Sequence, residues 1–266
     1  MINCGPFPQS TIHSLMKSTG NTILITGGGS GIGRTFAESF HALGNKVIIA
    51  GRRHSVLDEV TRANPGMASL VLDIEDPQAI RRFATELIAK HPALNAVFHN
   101  AGIMKMENLL EAQGDVAEAT ITTNLLGTIR LNNALLPHLL QQKNATIVTV
   151  TSGLAFIPLA PFPTYCATKA ALHSYTESLR YQLRDTSVQV LELAPPYVQT
   201  ELMGSRQATD PNAMPLKEFI AESMQIFTQS PSTPEILVER VKPLRFAQRG
   251  DYDAFFKKFN SSTATH

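Results

Sequence analysis

The chain has 266 residues, of which 43% are hydrophobic and 17% charged, with a formal net charge of +1. This is the make-up of one large α/β domain or two small ones, and a near-neutral chain lacks the field of a nucleic-acid or anionic-membrane binder. Cys4 and Cys166 are too few for a disulfide framework. No apolar run approaches the ~20 residues of a membrane helix, so a cytoplasmic protein with no membrane and no nucleic-acid partner is expected. Residues 1–17 show no helical or strand period and read as a disordered or loosely docked extension. Thr22-Ile23-Leu24-Ile25 is then a short strand-type run, and Arg34-Thr35-Phe36-Ala37-Glu38-Ser39-Phe40 has a helical pattern. Between them lies Thr26-Gly27-Gly28-Gly29-Ser30-Gly31-Ile32-Gly33. Glycines let a backbone turn tightly against an anion, and the first helical N–H groups point at it. Arg34 stands where a strict G-x-G-x-x-G would end, so the run alone is also compatible with a glycine-rich surface turn.

Val47-Ile48-Ile49-Ala50 is a second strand, ending in Gly51-Arg52-Arg53. An acidic residue there would bind a ribose diol, whereas arginine suits a 2′-phosphate by charge and bidentate geometry. The reading is therefore NADP(H) over NAD(H), with Arg52 on the phosphate and Arg53 near the adenine. A helix over 55–63 stops at Asn64-Pro65-Gly66, and Ser69-Leu70-Val71-Leu72 is the third strand, ending at Asp73-Ile74. Asp76-Pro77 caps a helix running to about Lys90; Ala96-Val97-Phe98-His99 is the fourth strand, ending in Asn100-Ala101-Gly102. A long helix is expected over about 115–142. The fifth strand, Thr146 to Val150, ends at Thr151-Ser152-Gly153; a helix covers about 164–184; the sixth strand, Val188 to Leu193, ends at Ala194-Pro195-Pro196. Short, solidly apolar strands alternating with helices predict a doubly wound parallel sheet with helices on both faces. Gly27, Arg52, Asp73 and Asn100 all lie just past a strand's carboxyl end, where such sheets bind ligands. No repeat or linker interrupts the pattern, so residues 18–266 read as one Rossmann-like domain.

Of the five tyrosines, only Tyr165 has a lysine, Lys169, four residues on. On a helix the two share a face. The ammonium would favour the phenolate and lower the tyrosine from its ordinary value of about 10, fitting it for proton transfer. Ser152, past the preceding strand, could hold a substrate carbonyl oxygen on the same edge. Cys166 has no base beside it, and His99, His138 and His173 have no ligand spacing, so structural roles and no metal site are expected. Phe219, Ile220, Ser223, Met224 and Phe227 give one apolar face within 201–230, a segment expected to be the substrate lid, or else a helix packed on the body. With Leu154, Phe156, Ile157 and Phe162 it predicts a mainly apolar pocket.

Taken together, the glycine run, Asn100-Ala101-Gly102, Ser152 and Tyr165-Cys166-Ala167-Thr168-Lys169 resemble the short-chain dehydrogenase/reductase family in order and spacing. The resemblance implies a Rossmann-like fold with about seven strands and hydride transfer between NAD(P)(H) and a small carbonyl compound or alcohol. It implies Tyr165 as acid/base, Lys169 on the nicotinamide ribose, Ser152 orienting the carbonyl, and Asn124 as a fourth catalytic position holding a water near the lysine. Asn124 also reads as a buried polar residue satisfied by backbone. By the same resemblance Gly27, Gly29, Ser30, Gly31, Ile32 and Gly33 cradle the pyrophosphate, Asp73 and Ile74 meet the adenine, and Asn100, Ala101 and Gly102 flank its ribose. Asn100 reads equally as a strut to the neighbouring strand. Pro195, Val198 and Thr200 would meet the nicotinamide, although Pro196 replaces the family's usual glycine and removes an N–H there. The double proline, Gly51-Arg52-Arg53 and Ile236-Leu237-Val238-Glu239-Arg240-Val241 resemble the bacterial DltE-type branch. A homodimer or homotetramer is implied in the same way. A second class of function on this fold is an NADP(H)-binding sensor or regulatory protein without turnover.

Overall fold

A computed structural model describes residues 17–111, 114–229 and 233–261. Residues 1–16 of the expected extension and Ser230 at the end of the expected lid lie outside them. The strands are β1 (Thr22–Thr26), β2 (Lys46–Gly51), β3 (Ala68–Val71), β4 (Ala96–His99), β5 (Ala145–Val150), β6 (Val188–Leu193) and β7 (Glu235–Ile236). They form one seven-stranded sheet in the order β3-β2-β1-β4-β5-β6-β7, with every neighbouring pair parallel. Parallel neighbours need crossovers, which the helices supply: α1 (Gly31–Ala42), α2 (His54–Ala63), α3 (Pro77–Lys90), α4 (Gly114–Ile121) continuing into α5 (Gly127–Leu139), and α6 (Pro163–Gln182). The strand order reverses between β1 and β4, so the crevice for a ligand opens at their carboxyl ends.

Strands buried on both faces carry continuous Val, Ile and Leu, and the core divides accordingly. On one face Phe36, Leu57, Phe219 and Phe227 pack on Ile23, Ile25 and Ile49; on the other Ile80, Leu131 and Leu179 pack on Leu24, Ile48 and Ile147. Past β6 come α7 (Ser205–Ala208) and α8 (Leu216–Gln229), then α9 (Lys242–Arg245) and α10 (Tyr252–Ser261). No helix among the described residues is long and apolar enough to cross a membrane.

One expectation is corrected. The helix expected over 115–142 ends at Leu139, and a five-residue π-helical segment, Thr122–Leu126, divides it. The wide turn has a cause outside the helix. Asn124, fully buried, accepts from Ile103 N at 2.8 Å through Oδ1 and donates to Ile103 O at 2.9 Å through Nδ2. Two bonds to a chain 21 residues away draw this turn out of α-register. Of the two readings of the apolar face of α8, packing on the body is the one seen. Phe219 and Phe227 are buried with their rings 6.3 and 6.0 Å from Phe36. That face packs on α1.

Candidate active site

The glycine turn leaves β1 by two bonds to β2, from Gly27 N and Gly28 N to Ala50 O at 2.8 and 3.3 Å. Gly27 (φ 66°) and Gly31 (φ 51°) take left-handed backbone that side chains disfavour. Space is as restrictive as conformation: a Cβ on Gly33 would lie 2.4 Å from Gly27 O and from Asn100 Nδ2, and one on Gly28 would lie 2.6 Å from Ile49. Ser30 caps α1 without a side-chain hydrogen bond. The first four N–H groups of a helix have no intrahelical acceptor, so Ser30, Gly31, Ile32 and Gly33 offer donors at a positive helix end beside Gly29. The donor set and the absence of side-chain bulk fit a pyrophosphate. Gly33→Ala is expected to destabilise the protein by about 2 kcal/mol through this overpacking, read as a lower midpoint of urea unfolding.

Asn100 has the role of a strut. Its Nδ2 donates to Thr26 O at 2.9 Å and lies 3.5 Å from Gly27 O, while Thr26 Oγ1 accepts from the backbone N of Asn100 and of Ala101, both at 3.0 Å. These bonds hold β1 and β4 apart by a fixed distance beneath the turn. Thr200, on the loop after β6, closes the other side: its Cγ2 would be 3.5 Å from a Cβ on Gly31. Val198 is buried, bridges to Met214 and accepts at its carbonyl from Gln207 Nε2 at 2.8 Å. Pro195 O accepts from Gly153 N at 2.8 Å, so the double proline is tied to the residue after Ser152.

At the far end of the crevice, Arg52 is exposed and Arg53 caps α2. Asp73 Oδ1 accepts from Glu75 N at 3.0 Å, and Ile74 is buried where a Cβ on Gly127 would meet it at 2.7 Å. The termini of β2, β3, β1 and β4 thus place Arg52, Asp73, the glycine turn and Asn100 along one edge, as expected from the chain order.

Ser152, Tyr165 and Lys169 meet on the continuation of that edge, all at least nine-tenths buried. Ser152 leaves β5 and caps a short 3-10 turn, its Oγ accepting from Leu154 N at 3.1 Å. Tyr165 and Lys169 lie one turn apart on α6, with the ammonium 5.6 Å from the phenol ring. The electrostatics differ from the expected phenolate. Burial among Phe162, Cys166, Met104, Leu154 and Leu159 pushes the Tyr165 phenol up, and the hydrogen bond with Ser152 pulls it back only in part. Lys169 does not offset this: burial lowers it to about 8, and Nζ donates to Val150 O at 2.8 Å. An ammonium has three donors, and among the described residues this bond is the one Nζ makes. Asn124 Nδ2 lies 3.3 Å from Thr168 Oγ1, and a Cβ on Gly102 would come within 3.2 Å of Asn124 Oδ1 and 3.7 Å of Lys169 Nζ. Asn124, Gly102 and Lys169 are therefore one cluster, with the Asn124 side chain occupied by backbone.

Three residues of the site escaped the sequence reading. Glu107 caps α6 from the loop after β4, accepting from Thr164 N at 3.1 Å and Thr164 Oγ1 at 2.7 Å. A carboxylate there satisfies orphan donors and the helix dipole at the end that carries Tyr165. Glu192, fully buried on β6, accepts from Thr151 Oγ1 at 2.6 Å and pairs with His173 Nδ1 at 2.8 Å. A lone acid inside Val188-Gln189-Val190-Leu191-Glu192-Leu193 was the available signal, because a buried carboxylate must be paired. Glu235 lies close to both, but Arg245 grips it through Nε and Nη2 at 2.9–3.2 Å and fills the place of a cation. Phe156, expected in the pocket, instead stands edge-on to His173 and under Arg245.

The short chain dehydrogenase family matches residues 21–211. An uncharacterized oxidoreductase of Bacillus subtilis, DltE, is 41% identical over 251 residues, covering 92% of this chain and 99% of that one. Among solved structures, a short chain dehydrogenase from Burkholderia cenocepacia in complex with NADP superposes with TM-score 0.79 at 23% identity, over 92% of this chain and 99% of that one. A short chain dehydrogenase/reductase from Burkholderia phymatum in complex with NAD gives TM-score 0.79 at 20% identity, over 92% and 97%. With its seven-stranded sheet, glycine turn and buried Ser152, Tyr165 and Lys169, this chain belongs to the short-chain dehydrogenase/reductase family of oxidoreductases, in the DltE-type branch.

Proposed function

We propose that the protein is an NADP(H)-dependent oxidoreductase that interconverts a small, mainly apolar carbonyl compound and the corresponding alcohol. The observation that carries this reading is the buried Ser152–Tyr165–Lys169 group, set on the same sheet edge as a glycine turn with no room for side chains. A nicotinamide cofactor held at that edge would supply the hydride chemistry. Tyr165, held protonated at neutral pH by burial, gives its proton to the developing alkoxide. Ser152 donates to the same oxygen and holds the carbonyl in place. Lys169 keeps its ammonium at pH 7 and offers its remaining donors to ribose hydroxyls. Asn124 holds the π turn beside Lys169, Asp73 and Ile74 border the adenine, and Pro195, Val198 and Thr200 border the nicotinamide. Met104, Leu154, Leu159 and Phe162 around Tyr165 favour an uncharged substrate. The reading extends to a cytoplasmic homodimer or homotetramer.

Preference for the phosphorylated cofactor rests on Arg52, which stands past β2 with its guanidinium exposed. Arg52→Ala is expected to weaken NADPH binding roughly tenfold, the loss of one charged hydrogen-bonding partner, and to leave NADH unchanged. Titration of nicotinamide fluorescence measures both. The activity itself is tested by NADPH oxidation against a panel of ketones, aldehydes and quinones; tight NADPH binding with no turnover across the panel would favour the sensor.

A further inference from the structure

Arg52 does not stand alone past β2. Its Nη1 lies 3.1 Å from Glu75 Oε1, and the same oxygen accepts from Thr123 Oγ1 at 2.8 Å. Thr123 is buried in the π segment, and Glu75 is only about one-third exposed. The backbone N of Glu75 is held in turn by Asp73 Oδ1. The Glu75 backbone is therefore held by Asp73 and its carboxylate by Thr123, whereas the Arg52 guanidinium is more than half exposed and bonded to Glu75. A 2′-phosphate arriving at Arg52 competes for the guanidinium with a carboxylate that Thr123 already holds in place.

We propose that Glu75 is a cofactor-specificity residue that opposes the phosphate: it holds the Arg52 guanidinium in competition with the 2′-phosphate and so moderates the preference for NADP(H) over NAD(H). The inference rests on the reading of Arg52 as the phosphate partner. Two consequences separate it from a merely structural pair. Removing the charge at Glu75 strengthens binding of the phosphorylated nucleotide instead of weakening it, and the gain needs Arg52. Thr123 ties this balance to the segment that carries Asn124, so the same tether joins the adenosine end to the catalytic cluster.

The test uses the adenosine ends alone, adenosine 2′,5′-bisphosphate and 5′-AMP, titrated calorimetrically into wild type, Glu75→Gln, Arg52→Ala and the double variant. Glu75→Gln is expected to bind the bisphosphate about fivefold tighter, the upper range for a partly exposed ion pair, with 5′-AMP within about twofold of wild type. In the Arg52→Ala background the gain should fall below about twofold. Unchanged or weaker binding by Glu75→Gln would make the carboxylate a bystander or a positioning group and overturn the inference, as would a full gain without Arg52. Failure of the underlying NADP(H) reading shows separately, as a wild type that binds both nucleotides alike and an Arg52→Ala variant that changes neither.

Discussion

Tyr165→Phe is expected to lose turnover by about three orders of magnitude while binding NADPH within about twofold of wild type. The substitution removes one oxygen from a ring packed among Phe162, Cys166, Met104, Leu154 and Leu159, so the fold has little reason to change. On the proposed function, the lost group is the proton donor. Burial holds the phenol above its ordinary value, and a donor that is protonated at pH 7 suits the carbonyl-reducing direction. Ser152→Ala should cost less, about a hundredfold, since it removes one hydrogen bond to the developing oxyanion and leaves the proton path intact. Initial rates of NADPH oxidation, with nicotinamide fluorescence as the binding control, separate the two. A Tyr165→Phe variant retaining more than about a tenth of the rate would remove Tyr165 from the chemistry.

What the amino-acid sequence discloses here is what local geometry decides. The glycine turn declares itself because only one backbone path fits Gly27, Gly31 and Gly33 between a strand and a helix. Tyr165 and Lys169 share a face because they are four apart. The alternation of apolar strands and helices places Arg52, Asp73, Asn100 and Ser152 along one edge before any contact is known. Residues whose partner is distant in the chain stay hidden. Asn124 reads as part of a regular helix because Ile103, which distorts it, is 21 residues away. Glu107 has no local pattern, since Thr164 is 57 residues on. Periodicity revealed that α8 has an apolar face, but not that Phe36 covers it. The direction of the Tyr165 shift was hidden for a related reason: spacing puts an ammonium nearby, while burial, which dominates, depends on the loops that close around the ring.

The buried group behind the site gives the largest expected effect on stability. Glu192→Ala should cost about 3 kcal/mol, at the low end for breaking a buried pair because His173 is partly exposed and can lose its proton. It would remove the nearest partner of both the Thr151 hydroxyl and the His173 imidazole, leaving them Leu193 O at 3.4 Å and Glu177 at 3.8 Å, and these belong to the segments that carry Ser152 and Tyr165. Glu192→Gln keeps an acceptor for Thr151 but removes the charge facing His173, and so isolates the electrostatic part. The hydrogen bond with Glu192 raises His173, with Glu192 and Glu177 adding by charge; desolvation and Arg245 oppose them. Glu235, across the same cluster, is neutralised by Arg245. A histidine raised in the folded state stabilises fully at pH values below its unfolded value of about 6.5, and the contribution is lost as pH rises through the folded value. Wild type should therefore exceed Glu192→Gln most at about pH 6 and converge toward it on the alkaline side. Urea unfolding between about pH 6 and 9 reads the difference. A gap that stays constant or widens with pH would mean that His173 is neutral in the fold and that Glu192 acts through Thr151 alone.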